Sequence, residues 1–334
     1  MALKHLLKYS DNAVEGFTKL AKSSPVFGVP YKIAAQKLID LKFPINFNIE
    51  STNACNLNCS MCPRNESKRK VGFMDFGLFK KIVDESSEYG SRIFSLHKDG
   101  EPLMHPKIND MIAYIKEKNP DNCLYLTTNG QLLDERKSKA ILENGVDKLN
   151  ISIGAANPET YEKVKGVKNL EKVNQNVLRF LEMKKAGDYK KPIVSVQIIR
   201  MKETMDEIPD FARKWKKEDV VVSVWGFINW GGKKSDPNVR FRKKRHPCYA
   251  LWTAPVINWN GKVSICCVDW NEENIIGDVN KEPFSKVWQG ALLKRYRALH
   301  LKGEYDKLPL CSKCNIWQDY PDFFFWWQKG RHVK

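Results

Sequence analysis

The distribution of cysteines is the feature that most constrains this chain. Nine cysteines stand at positions 55, 59, 62, 123, 248, 266, 267, 311 and 314, and seven of them fall into three tight groups. An exported protein held together by disulfide bonds usually has an even number of cysteines. An odd number, gathered into short groups, instead predicts metal ligands or redox chemistry in a cytoplasmic protein.

Apolar strands alternate with helical segments from Phe43 to about Gly232. The predicted helices follow Asp75 and cover 107–118, 134–145, about 158–185 with a break at Gly166, and 205–217. The six predicted strands are INFNIE (45–50), RIFSL (92–96), CLYLTT (123–128), KLNISI (148–153), IVSVQIIR (193–200) and VVVSVWGF (220–227). Such alternation implies a parallel sheet with helices outside it. Six units are too few for a closed eight-fold barrel, so we predict an α/β fold with a partial (β/α)6 TIM-like barrel.

The remaining sequence predicts three segments, and 334 residues suit about two domains. Residues 1–42 form a basic, helical lead-in that caps a domain or lies on a membrane surface, and we favour the cap. Residues 43–232 form the barrel. Residues 233–334 hold a linker, a hairpin at Asn260-Gly261, a helix over 284–300 and an aromatic tail. No run of 18 apolar residues and no signal peptide is present, which predicts a cytoplasmic protein.

The chain carries 56 Lys and Arg against 39 Asp and Glu, a net charge of +17. This excess favours acidic partners such as nucleic acid, anionic lipid, a phosphorylated substrate or an acidic redox protein. The basic residues are scattered, however. We interpret the densest group as a solvated loop, and it consists of Arg240, Arg242, Lys243, Lys244 and Arg245.

The first cysteine group, Cys55, Cys59 and Cys62, follows the first strand with a C-x3-C-x2-C spacing. Three thiolates can hold three irons of a cubane cluster, which leaves the fourth iron without a protein ligand. An open metal site is where a substrate or cofactor coordinates. A zinc site is the alternative, but zinc loops usually come as two C-x2-C pairs.

This motif, at the end of the first strand of a β/α barrel, resembles that of the radical S-adenosylmethionine (SAM) enzymes. The resemblance covers about residues 43–230. It implies that the open iron binds SAM, and that the reduced cluster cleaves SAM to a 5′-deoxyadenosyl radical that abstracts a hydrogen atom. The implied SAM contacts are Gly100, Glu101, Pro102, Asn129 in Thr128-Asn129-Gly130, Ser152, Gln197 and Arg200. One departure occurs: the family's Ser-x-Asp-Gly is Ser152-Ile153-Gly154-Ala155 here, without the aspartate.

The second cysteine group resembles the SPASM/twitch extension of radical SAM proteins. The resemblance implies one auxiliary [4Fe–4S] cluster with four thiolate ligands, Cys248, Cys266, Cys311 and Cys314. A full SPASM domain has further cysteines, where this chain has residues such as Asn315 and Tyr320. The glycine spacing favours Cys266 over Cys267 as the ligand. A zinc ribbon is the alternative interpretation.

A fully ligated auxiliary cluster favours net oxidation, because it can accept an electron from the substrate radical. The cysteine spacing also resembles that of twitch-type dehydrogenases that act on aminocyclitols and sugars. That resemblance implies the leading hypothesis, a radical SAM oxidoreductase that dehydrogenates a small polar substrate, such as a sugar, an aminocyclitol or a nucleotide-linked molecule. The alternatives are an epimerase, a peptide-modifying maturase, and a cluster- or zinc-containing protein that binds RNA. The candidate catalytic residues are the spare thiols Cys267 and Cys123, together with Arg200, Tyr249, Glu101 and His97.

The net positive charge and the aromatic C-terminal tail predict partners and packing. The SAM cluster needs low-potential electrons, and a basic surface would attract an acidic flavodoxin or ferredoxin. A phosphorylated small molecule or a peptide substrate is compatible with the same charge, whereas nucleic acid is not expected. The aromatic run Phe323–Trp327 is too apolar to stay exposed. We predict that it packs against the barrel or the lead-in, with active-site closure or a dimer contact as alternatives.

Overall fold

The computed structural model describes residues 42–239, 241 and 245–318. A nine-stranded sheet runs through them in the order β6-β5-β4-β3-β2-β1-β7-β8-β9. Neighbouring strands pair in parallel from β6 to β7, and antiparallel from β7 to β9. The strands are β1 Asn46–Ile49, β2 Ile93–Ser95, β3 Cys123–Thr128, β4 Lys148–Ile151, β5 Ile193–Arg200, β6 Val221–Gly226, β7 Val256–Ile257, β8 Lys262–Ser264 and β9 Ile275–Asp278.

Helices connect the strands of the parallel part, as the sequence predicts. The α-helices are α1 Phe76–Ser87, α2 Ile108–Lys118, α3 Glu135–Glu143, α4 Pro158–Lys165, α5 Leu170–Ala186, α6 Ile208–Trp215, α7 Ala250–Thr253, α8 Phe284–Trp288, α9 Ala291–Lys302 and α10 Pro309–Ser312. Short 3-10 helices cover Pro63–Glu66, Pro102–Met104, Met205–Glu207, Trp230–Gly232, Tyr305–Lys307 and Ile316–Gln318.

Side chains at the helix starts explain where several helices begin. Asp75 accepts a hydrogen bond from the Leu78 amide at 2.9 Å, and Asp134 accepts one from the Lys137 amide at 2.8 Å. Each carboxylate satisfies an amide that has no partner within its own helix. The predicted starts of α1 and α3 are therefore confirmed.

Six predicted barrel strands and the hairpin of β7 and β8 are confirmed. The single helix predicted over 284–300 is wrong, because the segment forms α8 and α9. Gly290 adopts an extended conformation, with φ −64° and ψ 154°, and caps the start of α9. The helical period runs across this break, so the apolar pattern alone hides it. The lead-in 1–41, most of the basic group at 240–245 and the aromatic tail lie outside the described residues.

The C-terminal part of the chain, residues 245–318 and here called the auxiliary segment, is joined to the barrel by strand pairing. Strand β7 pairs in parallel with β1, with Asn48 opposite Val256 and Ile49 opposite Ile257. The predicted barrel and C-terminal segments thus share one sheet. Among the described residues, no helix is both long and apolar enough to cross a membrane.

The two faces of the parallel sheet differ sharply in chemistry. One face is fully buried beneath the helices, with residues such as Phe47, Phe94, Leu124, Leu149 and Val196 at 0 to 1% exposure. The alternate residues are partly exposed and mostly polar. This pattern follows from the period of two in a strand and from crossovers that place the helices connecting the parallel strands on one side of the sheet. The polar face is therefore the inner face of the partial barrel.

Candidate functional site

The first cysteine group lies on the loop after β1, and neighbouring loops hold that loop in place. The Ala54 carbonyl accepts a hydrogen bond from the Glu101 amide at 2.8 Å, and the Ser60 amide donates to the Val164 carbonyl at 3.0 Å. Burial raises the pKa of the Cys55 thiol, and raises that of Cys62 to about 12. Such thiols lose their protons when a metal centre supplies positive charge.

Gly100 allows the loop after β2 to approach the cysteine loop. A Cβ atom at this position would lie 2.2 Å from the Thr52 carbonyl oxygen and 2.7 Å from that of Ala54. Both distances are far below a van der Waals contact, so no other residue fits without moving the backbone. The glycine of Gly100-Glu101-Pro102 therefore serves close packing of two loops.

The buried Glu101 carboxylate is held by protein donors. It accepts hydrogen bonds from the Thr128 hydroxyl at 2.7 Å, the Asn129 amide at 2.7 Å and the Leu103 amide at 3.1 Å. Burial raises the pKa of this carboxyl group. Pro102 begins the short 3-10 helix that follows. Glu101 thereby ties the end of β3 to the cysteine loop.

The remaining predicted SAM contacts lie at the carboxyl ends of β3 to β5. The Asn129 side-chain amide donates to Asn56 on the cysteine loop at 2.9 Å. On β5, Gln197 accepts a hydrogen bond from Asn150 at 2.5 Å. Arg200 is the last residue of β5 and is exposed. These residues line one edge of the barrel, which is where parallel α/β sheets bind ligands.

Lys165 explains the departure from the family's Ser-x-Asp-Gly pattern. Its buried ammonium donates to the Ser152 carbonyl at 2.8 Å and to the Ser152 hydroxyl at 3.1 Å. A Cβ atom on Gly154, at the aspartate position, would lie 2.5 Å from Cε of Lys165. The lysine thus occupies the space beside the glycine. Sequence reasoning missed it, because a lysine at a helix end usually lies in solvent.

The inner face of the barrel is lined with hydrogen-bonding groups. Ser195 donates to Asn150 at 2.8 Å, and Asn150 donates to Gln197, so β4 and β5 share a polar row. The Nδ1 atom of His97 is buried and has no hydrogen-bond partner in the part of the chain that the structure describes. The residues of this face are Asn46, Asn48, Ser95, His97, Tyr125, Thr127, Lys148, Asn150, Ser195, Gln197 and Ser223. The face can bind a polar molecule.

The second cysteine group surrounds one small cavity. Cys248, Cys266, Cys311 and Cys314 all line it, together with apolar side chains, His300 and Arg245. Cys267 is absent from this lining. Burial raises the pKa of the Cys311 thiol to about 12 and raises that of Cys266 well above its ordinary value.

This donor set fits an iron–sulfur cluster, since four thiols face one cavity with mainly apolar walls. Within the described ranges, no group of three or more His, Cys, Asp or Glu is placed to hold one metal ion. Thiolates on a single zinc stand about 3.8 Å apart, as Zn–S bonds of about 2.3 Å require. Thiolates that bind separate irons of a cubane are farther apart.

A buried ionic network joins the loops that follow β1 and β2 to the loop 266–274. Arg69 forms ion pairs with Glu50, with Asp99 at 3.2 Å and with Glu272 at 2.7 Å. Lys98 pairs with Asp99 at 3.1 Å. Burial raises the pKa of Asp99 to about 7. Sequence reasoning missed this network, because its members are far apart in the chain and form no local motif.

The other candidate catalytic residues are spread over the molecule. Cys123 is the first residue of β3, about 16 Å from the carboxyl end of that strand at about 3.3 Å per residue. Tyr249 precedes α7, and burial raises its pKa to about 12. Cys267 follows the cavity residue Cys266.

Comparison with protein families identifies the class to which this fold and these cysteines belong. The model of the radical SAM superfamily matches residues 49–214, and that of the SPASM iron-sulfur cluster-binding domain matches residues 248–315. The chain is a member of the radical SAM superfamily and carries a SPASM domain. Its cofactors are accordingly SAM, a [4Fe–4S] cluster that binds SAM, and auxiliary iron–sulfur clusters in the SPASM domain.

Curated relatives include proteins with different reactions. The chain is 30% identical over 170 residues to the tungsten-containing aldehyde ferredoxin oxidoreductase cofactor-modifying protein of Pyrococcus furiosus, covering 49% of this chain and 46% of that one. It is 28% identical over 186 residues to a probable GTP 3′,8-cyclase of Methanococcus maripaludis, covering 55% and 59%. The chain thus spans about half the length of these relatives. It is 25% identical over 270 residues to the S-adenosyl-L-methionine-dependent 2-deoxy-scyllo-inosamine dehydrogenase of Niallia circulans, covering 80% and 91%.

Solved structures share the fold at low identity. BtrN in complex with AdoMet and 2-DOIA matches with a TM-score of 0.57 and 21% identity, covering 82% of this chain and 93% of that one. SuiB from Streptococcus suis bound to S-adenosylmethionine matches with a TM-score of 0.63 and 15% identity, covering 92% and 78%. These likenesses establish the radical SAM fold with an open barrel.

Proposed function

We propose that this protein is a radical SAM oxidoreductase that dehydrogenates a small, polar, hydroxyl-bearing substrate. The observation that carries the proposal is the polar inner face of the barrel, where hydrogen-bonding side chains alternate with a fully apolar outer face. Sugars and aminocyclitols present the matching donors and acceptors. The 2-deoxy-scyllo-inosamine dehydrogenase is a relative over most of the chain and supports the same substrate class.

The cysteines divide between two clusters in this proposal. Cys55, Cys59 and Cys62 bind the cluster that holds SAM. The auxiliary [4Fe–4S] cluster is bound by Cys248, Cys266, Cys311 and Cys314. When bound, the first cluster supplies the electron that turns SAM into a hydrogen-abstracting radical, and the second supplies an acceptor for the substrate's electron.

The protein's own residues position the reactants. Gly100, Glu101 and Pro102 pack the loop after β2 against the cysteine loop, and Asn129, Ser152, Gln197 and Arg200 offer polar contacts for SAM at the strand ends. His97 lies at the carboxyl end of β2, and burial lowers its pKa to about 4, so it is neutral near pH 7. A neutral imidazole can accept the substrate's hydroxyl proton, which makes His97 our preferred base.

Peptide modification is the second candidate function. The observation that favours it is the match to SuiB, which covers 87% of this chain for the structure bound to a precursor peptide. Epimerisation would need a thiol donor, for which Cys267 is the remaining candidate, since Cys123 lies at the amino end of β3. The RNA-binding alternative has little left to support it, since family membership accounts for the cysteines and an acidic flavodoxin or ferredoxin would account for the charge. The cytoplasmic location stays a prediction.

The test is release of 5′-deoxyadenosine by the anaerobically reconstituted protein. We expect a panel of sugars and aminocyclitols, including 2-deoxy-scyllo-inosamine, to yield one substrate that stimulates release. Deuterium at its reacting carbon should appear in 5′-deoxyadenosine, and a ketone should form. Stimulation by peptides alone would overturn the proposal in favour of a maturase. Cys55→Ala serves as the inactive control.

A further inference from the structure

Lys98 joins the barrel to the auxiliary segment. Its ammonium donates to the Asn258 side chain at 2.9 Å and to the Asp269 carbonyl at 3.0 Å, and its side chain is 1% exposed. Lys98 follows β2 in the barrel, whereas Asn258 follows β7 and Asp269 follows the paired cysteines 266 and 267. A single buried cation therefore fixes two separate points of the auxiliary segment.

Asp269 is hydrogen-bonded to Cys266, which lines the cavity shared with Cys248, Cys311 and Cys314. The Asp269 amide donates to the Cys266 carbonyl at 3.3 Å. The Asp269 carboxylate accepts from the amides of Glu273 at 2.9 Å and Asn274 at 3.0 Å, which closes the loop 266–274 on itself. Lys98 thus holds a compact loop whose first residue turns its thiol toward the cavity.

The same lysine is also connected to the first cysteine loop. Two residues beyond it, Gly100 packs on the carbonyls of Thr52 and Ala54, and Ala54 precedes Cys55. Displacement of Lys98 would therefore shift the loops that carry both cysteine groups. Arg69 lies nearby and forms ion pairs with three carboxylates, whereas among the described residues Lys98 forms one ion pair, with Asp99, and its charge also acts on Glu50.

We propose that Lys98 is a positioning residue for the auxiliary cluster, which holds the loop 266–274 in place and whose buried positive charge raises the cluster's reduction potential. The proposal rests on the cysteine assignment in the proposed function. Charges in a low-dielectric interior act strongly on one another, and nearby groups tune the potential of an iron–sulfur centre. A higher potential makes the cluster a better acceptor for the substrate's electron.

The experiment compares Lys98→Met, Lys98→Arg and wild type by redox titration monitored with electron paramagnetic resonance. We expect the auxiliary cluster of Lys98→Met to be reduced at lower potential, and that of Lys98→Arg to stay near wild type. Lys116→Met is the matched control, because Lys116 also forms a partly buried ion pair, with Asp147 at 2.6 Å, at the opposite end of the strands. An unchanged potential in Lys98→Met, or an equal shift in Lys116→Met, would overturn the proposal.

Two further variants keep the outcome decisive. If Lys98→Met holds fewer than about eight irons, Lys98→Gln is titrated instead, since it keeps a donor for the Asp269 carbonyl and loses the charge. The same fall in potential is expected, and no fall refutes the role. Cys311→Ala with Cys314→Ala should remove the titrated signal. If that signal persists, the cysteine assignment has failed, independently of Lys98.

Discussion

The Lys165 ammonium donates hydrogen bonds to both the carbonyl and the hydroxyl oxygen of Ser152. Lys165→Met removes this charged donor and leaves Ser152 without its fixed orientation. We expect SAM affinity to fall about 10-fold or more, since charged hydrogen bonds contribute about 1.5–3 kcal/mol. Equilibrium dialysis with the reconstituted protein measures it. Lys163→Met, on the exposed side of the same helix, is the control, and equal affinities in both variants would contradict the expectation.

Glu101→Gln tests whether the carboxylate's three hydrogen bonds support the loops around the SAM site. One carboxylate oxygen becomes an amide group, which faces an N–H or O–H donor instead of accepting from it. We expect a loss of stability of about 1–3 kcal/mol, seen as a lower melting temperature under anaerobic conditions. Glu143→Gln on α3 should melt like wild type. A Glu101→Gln protein that melts at the wild-type temperature would show that these bonds add little.

Much of this architecture could be predicted from the sequence, because its signals are local. Strand and helix periods, and the capping residues Asp75 and Asp134, act over a few residues. The grouping of Cys248 and Cys266 with the C-terminal cysteine pair followed from family resemblance. The ionic network of Glu50, Arg69 and Lys98 could not be found, since it depends on which strand ends meet in space. Lys165 could not be found either, because a lysine at a helix end usually lies in solvent.

The iron content should identify the cysteines of each cluster. Wild type should bind about eight irons per chain, and the triple variant Cys55→Ala, Cys59→Ala, Cys62→Ala about four, because each cubane contains four. Cys123→Ala should keep about eight, since Cys123 lies at the far end of β3. Iron and sulfide analysis after anaerobic reconstitution measures this. Four irons in wild type, or zinc in place of iron, would contradict the presence of an auxiliary [4Fe–4S] cluster.

His97 should make stability depend on pH. Burial holds its pKa at about 4, below the ordinary value of 6.5, so the folded state resists its protonation. The contribution of neutral His97 to the free energy of unfolding is complete above about pH 6.5 and is lost as the pH falls toward 4. The loss at pH 4 is about 1–3 kcal/mol, given 1.36 kcal/mol for each unit of pKa. We expect His97→Gln to lose less stability than wild type between pH 7 and pH 4.5, measured by anaerobic thermal unfolding. Parallel curves for the two proteins would show that the folded state does not lower the pKa of His97.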